Sequence, residues 1–332
     1  MHTQIYTNKV PALLSQLSNT PEMQRLADVG MHCGTEYSNI PIYKDAKLPY
    51  SRLTHSIGVA SIVWHFTGDI RQAVAGMLHD ISTPVFAHTI DFMNNDHISQ
   101  ESTEDKTRWF IENSKSIMGL LDENGIGVDD ICDYHKYPVA DNKTPMLSAD
   151  RLEYTLGNAH MVYNIELSQI KDVYDDLHVM KNEHGIDELC FRSISKAQKF
   201  THISLRNSHF YVSKEDRFLM QYLAEIIRSA IGLGVVTHDD LYTTESDVIE
   251  KLNKSPKFSS LWGEYTAISA VATSCDKLHD KFCVNVSAKK RYINPLAITA
   301  SGVKRISEID TGIKQEIDEF LDLDFNHWIY AV

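Results

Sequence analysis

The chain is short of positive charge. It holds 32 Lys and Arg against 45 Asp and Glu, a formal net charge of -13. That balance disfavours a broad nucleic-acid surface or an anionic-membrane surface, while leaving room for a local basic pocket. Cysteine is scarce too. The five residues Cys33, Cys132, Cys190, Cys275 and Cys283 are odd in number, scattered, and form no C-x-x-C pair. A disulfide framework is therefore not expected, and a reduced interior is. Long apolar runs are missing: the most apolar stretch, 57–66, contains His65 and is too short to span a bilayer. The N-terminal Met-His-Thr-Gln shows no basic segment followed by an apolar run, so neither a signal peptide nor a membrane role is expected, and the cytoplasm is the expected compartment. Repeats and low-complexity segments are also lacking.

What is present is helical punctuation. Asp69 can cap a helix whose apolar residues Ile70, Ala73, Val74, Met77 and Leu78 follow helical spacing, with His79 and Asp80 at its end and Pro84 beyond. A helix from about Arg52–His55 to Phe66 meets a terminator in Gly68. Ser148 can cap another, which places Asp150, Tyr154 and Asn158 on one polar stripe. Ser213 precedes a strongly amphipathic segment from Phe218 to Ile231, and Thr244 can cap a further helix. In the tail, alternation across 282–292 predicts a strand; Lys289, Lys290 and Arg291 at its end read first as a solvated basic end, with a grip on phosphate or an acidic partner as the alternative. The expected architecture is mainly α, with a helical body over 1–265 and a small β-containing element over 266–332.

One set of polar residues has no need to be there for packing. His55, the adjacent His79 and Asp80, and Asp150 read H…HD…D, with 24 positions from His55 to His79 and 70 from Asp80 to Asp150. Two imidazoles and two carboxylates suit a divalent metal: Mn, Fe, Co, Ni, Zn or Mg are all compatible. Such an ion can polarise a phosphoryl oxygen and activate water near neutral pH. A small phosphorylated substrate is the chemistry this donor set points to.

Several segments resemble the HD-domain phosphohydrolases, most closely the deoxynucleoside triphosphate triphosphohydrolase branch that includes bacterial dGTPases. Residues 20–26 (TPEMQRL) resemble the branch's TPxxQRL, and residues 52–59 (RLTHSIGV) its RxxHSxGV. Residues 79–88 (HDISTPVFAH) are similar to HDxGHGPFSH, residues 149–154 (ADRLEY) to the last metal motif, and residues 237–241 (THDDL) to a later family segment. The likeness runs over about residues 5–255. It implies an HD-type helical bundle, a homo-oligomer, and a nucleotide substrate, with dNTP cleaved to deoxynucleoside and tripolyphosphate. Nucleotide monophosphatase or phosphodiesterase activity, and a nucleotide-binding regulator without turnover, stand as alternatives.

Carried over by position, His55, His79, Asp80 and Asp150 are the metal ligands. Arg52 and Tyr154 contact phosphate, and Asn158 stands where the branch commonly has a sugar-reading aspartate. His88, Asp91 and His97 are the acid/base group, His97 as partner to Asp91. Two departures matter: Thr83 stands where the family has a histidine, and Ser82 where it has a glycine.

Overall fold

A computed structural model describes residues 2–7, 9–98 and 106–332. Among them are sixteen α-helices and seven short strands, a mainly α architecture with small β elements. Six helices organise the site: α1 (Arg52–Thr67), α2 (Ile70–Leu78), α3 (His88–Met93), α4 (Ala149–Met161), α5 (Ile194–Tyr211) and α6 (Lys214–Gly232).

Their ends are where the sequence puts capping chemistry. Ser51, Asp69, Ser148 and Ser213 each accept a backbone N–H of the first helical turn that would otherwise lack a partner. Gly68 closes α1 at φ 63°, a left-handed conformation open to glycine at little cost. No helix among the described residues is long and apolar enough to cross a membrane.

Two apolar clusters hold the fold. The first gathers Val59, Ile62 and Val63 of α1, Val74, Met77 and Leu78 of α2, and Leu152 and Leu156 of α4. Helix α1 is apolar almost all round because it lies between α2 and α4. The second is built on Leu219, Leu223, Ile226 and Ile227 of α6, packed against Ile90 and Phe92 of α3. Each of these fully buried aliphatic side chains contributes roughly 1.5–3 kcal/mol.

The strands are β1 (Leu177–Lys181), β2 (Asp187–Phe191), β3 (Val271–Ser274), β4 (Cys283–Val284), β5 (Leu296–Thr299), β6 (Gly302–Arg305) and β7 (Trp328–Ala331). They form two sheets, ordered β1-β2-β5-β6 and β3-β7-β4. β2 and β5 pair in parallel, Cys190 opposite Leu296. The tail joins both clusters, Ile293, Ala297 and Ile306 entering the first and Val271, Val284 and Ile329 the second.

The expected strand over 282–292 needs correction. Only Cys283 and Val284 pair, with β7, and residues 285–295 carry no ladder. The alternating pattern belongs instead to an extended segment held by side chains. Arg217 Nη1 donates to the Val286 carbonyl (2.7 Å), Lys290 Nζ to the Leu321 and Leu323 carbonyls, and Asn294 N to the Pro145 carbonyl (2.9 Å).

Candidate metal centre

Helix α1 brings His55 inward, and the turn after α2 brings His79 and Asp80 against it. His79, Asp80 and His55 offer donor atoms within 4.8 Å of one another, the one such group of three among the described residues. Asp150, from the first turn of α4, reaches the same point: its Oδ1 is 3.0 Å from His55 Nε2 and 3.9 Å from His79 Nε2. Asp80 Oδ2 lies 3.9 Å from His55 Nε2 and 3.4 Å from His79 Nε2.

Both imidazoles are oriented from behind. His55 Nδ1 donates to Glu153 Oε2 (2.5 Å), and His79 Nδ1 to the Gly76 carbonyl (2.8 Å). In each ring this turns Nε2 toward the shared point, where loss of its proton to an incoming metal would free a lone pair, the arrangement metal-ligating histidines use. Electrostatics agree. Burial works to lower the His55 pKa, but Asp150 and Glu153 overcome it and raise it to about 10. Burial works to raise Asp80, but Arg52 and His79 hold it well below the usual carboxylate range. Asp150 also resists burial and falls to about 2 through His55. A pocket that stabilises imidazolium in this way favours a dication at the same point. The donor set and its convergence fit a divalent metal.

Around this centre is a cavity of about 610 Å³, lined by Arg52, His88, Tyr154, Asn158 and all four candidate ligands. Arg52 Nη1 donates to both oxygens of Asp80 (3.1 and 3.0 Å), while its buried Nε has no partner. Thr83 Oγ1 donates to Asp80 Oδ1 (2.8 Å), so the residue standing where the resembling family has a histidine steadies the carboxylate. His88 Nδ1 donates to fully buried Asp91 (2.8 Å). Burial lowers the His88 pKa, and Arg291 and Arg52 add to that against the opposing pull of Asp91.

His97 is the one candidate placed apart. Its ring packs on Phe92, with centroids 5.2 Å apart, and it does not line the cavity. The Asp91 partner seen is His88, one helical turn away on α3, rather than His97. Tyr154 does line the cavity, burial raising its pKa to about 12.

Asn158 is committed to the protein: Nδ2 donates to the Tyr211 hydroxyl (2.6 Å) and Oδ1 accepts from His32 Nε2 (3.1 Å). Burial lowers the His32 pKa to about 4, so the ring is neutral and its unpartnered Nδ1 is an acceptor.

Sequence reasoning missed several of these residues. Glu153 sits three positions after Asp150, a helical spacing that could have drawn attention to it. His32 and Tyr134 come from distant segments and give no local signal. Tyr134 lies over His79 (ring centroids 4.9 Å). Lys289 and Arg291 line the cavity, which corrects their reading as a solvated strand end.

Two quoted motifs turn out to brace the site. Arg25 donates to the carbonyls of Ile81 (2.9 Å) and Thr83 (2.8 Å), pinning the turn after Asp80. The Leu241 carbonyl accepts from Val85 N (2.8 Å), and Glu245 from Phe86 N (3.1 Å). These bonds hold Phe86 and Ala87 at φ 59° and 41°, strained for residues with a Cβ, directly before His88.

Comparison with known proteins adds the following. No protein-family model matches the chain. The uncharacterized protein YdhJ of Bacillus subtilis is 25% identical over 248 residues, which cover 74% of this chain and 72% of YdhJ. The metal-dependent phosphohydrolase cns2 of Cordyceps militaris is 24% identical over 165 residues, 50% of this chain and 46% of cns2, so that match spans about half of each. Of solved structures, a hypothetical protein from Aquifex aeolicus aligns with a TM-score of 0.68 at 17% identity, over 97% of this chain and 93% of its own. A phosphohydrolase from Bacteroides thetaiotaomicron aligns with a TM-score of 0.66 at 15% identity, over 97% and 96%. At such identities the solved structures establish the fold alone. The name of cns2 makes that relative, not yet this chain, a metal-dependent phosphohydrolase.

Proposed function

We propose that this chain is a metal-dependent phosphohydrolase acting on a nucleotide or a related phosphate ester or anhydride. One observation carries the reading: two imidazole Nε2 atoms and two carboxylates converge beside Arg52 in a single cavity. His55, His79, Asp80 and Asp150 would hold the ion. Two nitrogens and two oxygens do not select among Mn, Fe, Co, Ni, Zn and Mg. When bound, a divalent ion supplies Lewis acidity at a phosphoryl oxygen and lowers the pKa of water.

The remaining work belongs to the side chains. Arg52 is anchored on Asp80 and directs its remaining donors at a phosphoryl oxygen. Tyr154 orients the phosphate through its hydroxyl. His88, held by Asp91 through Nδ1, exchanges a proton at Nε2 with the attacking water or the leaving oxygen. His97 has no part in this scheme. Within the class, the sequence motifs favour a deoxynucleoside triphosphate cleaved to deoxynucleoside and tripolyphosphate.

The test is a product assay on metal-stripped protein reloaded with Mn. It uses dNTPs, NTPs, nucleoside monophosphates and cyclic nucleotides, separated by anion exchange, with Asp80→Ala as the blank. Nucleoside plus tripolyphosphate is the expected outcome. Free phosphate from monophosphates, or an opened cyclic nucleotide, would move the protein to another branch of the same chemistry. Retained turnover in Asp80→Ala would sink the metal-centred reading.

A further inference from the structure

The backbone leading to Arg52 and the turn leading to His88 are tied to one side chain. Gly30 bridges Ser51, and Arg52 N donates to the Val29 carbonyl (2.8 Å), so residues 29–30 set where α1 starts. Glu245 opens the helix Glu245–Lys254 and is completely buried. Its Oε1 accepts from both Gly30 N (3.0 Å) and Phe86 N (3.1 Å), and its Oε2 from the Tyr37 hydroxyl (2.8 Å). One carboxylate oxygen thus joins the Arg52 segment to the strained Phe86-Ala87 turn before His88.

A second carboxylate stands beside it. Glu36 Oε1 and Glu245 Oε2 lie 1.9 Å and 3.6 Å from the same point, the place a Cβ on Gly30 would take. Glu36 Oε2 is buried without a partner. Two desolvated carboxylates so close resist being charged together, and a proton on one of them relieves both the repulsion and the burial. Burial pushes Glu36 up to about 7, and burial followed by the Glu36 charge pushes Glu245 up to about 8.

The groups around the pair leave that proton to it. Arg52 is the cation that acts on Glu36, and Arg25 is held by the Ile81, Thr83 and Thr243 carbonyls. Tyr37, Tyr43, Tyr265 and Cys33 are all raised by burial and stay neutral. Asp28 accepts from Ser246 N (3.1 Å), and Asp240 is paired with Lys251 (2.6 Å). Asp216, also raised by burial, faces the metal cavity. Glu36 and Glu245 instead line a separate cavity of about 300 Å³ with no basic side chain in its wall, which gives them their own route to solvent protons.

We propose that the Glu36–Glu245 pair is a proton-gated positioning device. While it keeps one proton, Glu245 clamps the Arg52 and His88 segments together; when the proton leaves at mildly alkaline pH, the carboxylates separate and the clamp loosens. Only the roles of Arg52 and His88 rest on the phosphohydrolase reading.

An amide-proton NMR titration of the intact Mg-loaded protein tests it. It follows the Gly30 and Phe86 amides, which donate to Glu245, and the Arg52 Nε–H. In wild type all three signals should move together with a midpoint between about 7 and about 8. Glu36→Gln removes the charge and keeps a donor beside Glu245, so the amide midpoint should fall by about 1–3 pH units. Glu245 then ionises with no neighbour to repel it. The Arg52 signal should therefore stay flat, and the loss of kcat/KM expected in wild type above about pH 8 should vanish. A merely structural Glu36 would lower turnover alike at every pH. Gly30→Ala, whose Cβ displaces Glu36, should lower the Phe86 midpoint in the same way and replaces Glu36→Gln if that variant does not fold. An amide midpoint unmoved by the substitution overturns the pair, and an Arg52 signal that ignores the wild-type midpoint overturns its link to the site. If wild type turns over no phosphate compound, the hydrolase reading fails while the amide and Arg52 signals still decide the device. If turnover is present and its alkaline loss persists in Glu36→Gln, the device fails alone.

Discussion

Replacing Glu153 by Gln removes one charge from a residue that never meets substrate. Glu153 is completely buried and accepts from His55 Nδ1 and from the Tyr50 hydroxyl, both at 2.5 Å. The carboxylate accepts only, which forces the His55 proton onto Nδ1 and leaves Nε2 free for metal. An amide can present its NH2 to the ring instead and turn the tautomer round. Partners of this kind are worth about 10- to 100-fold in metal affinity, or ~1.4–2.8 kcal/mol. We expect Glu153→Gln to weaken Mn binding by that factor, measured by competition with a chelator of known affinity, while the fold survives. Gly58→Ala reaches the same residue from the other side, because its Cβ would lie 2.5 Å from Glu153 Cγ and 2.6 Å from Oε1. It should reproduce the loss without altering any polar group. Metal affinity within about three-fold of wild type in Glu153→Gln, at unchanged melting temperature, would refute the argument.

Two further expectations concern protons. Asp91→Asn takes away the partner that supports the His88 pKa, which burial already lowers. The acidic limb of the kcat/KM profile should therefore move to lower pH and kcat should fall by about 10- to 100-fold; an unmoved limb would count against His88 as the titrating group. Glu245 is pushed up to about 8 from the ordinary 4.5, first by burial and then by the Glu36 charge. The folded state then binds the extra proton, so this residue makes stability fall as pH rises from 4.5 to about 8. Glu245→Gln should raise the melting temperature relative to wild type at pH 8.5 and much less at pH 5; equal gains at both would contradict the burial argument.

The parts of the site legible in the sequence are those set by local geometry. The caps at Asp69, Ser148 and Ser213 announce helices through side-chain chemistry, and the spacing of Asp150, Tyr154 and Asn158 puts all three on one wall of the cavity. Glu153 escaped because its role exists only where α4 packs on α1. Arg291 ranks as surface first and phosphate grip second because a basic triplet in an acidic chain is ordinarily solvated, and nothing nearby in sequence reveals that Arg217 and Pro145 pin its segment over the cavity. The alternation across 282–292 misled for a related reason: an extended backbone shows period two whether or not a neighbouring strand pairs with it. His97 was assigned to Asp91 by alignment, whereas the α3 turn gives that carboxylate to His88.

The parallel pairing of β2 with β5 has a consequence for biosynthesis. Cys190 and Leu296 are neighbours in the sheet but lie over a hundred positions apart in the chain. At ribosomal rates of about 5–20 residues per second, β5 follows β2 from the exit tunnel by ~5–20 s. Throughout that interval β2, whose Leu189, Cys190 and Phe191 are fully buried in the finished protein, offers an unpaired apolar edge. We expect nascent chains stopped before Leu296 to be insoluble or chaperone-bound, and the same chains carried past Arg305 to be released; equal solubility of the two lengths would remove this edge as the hazard.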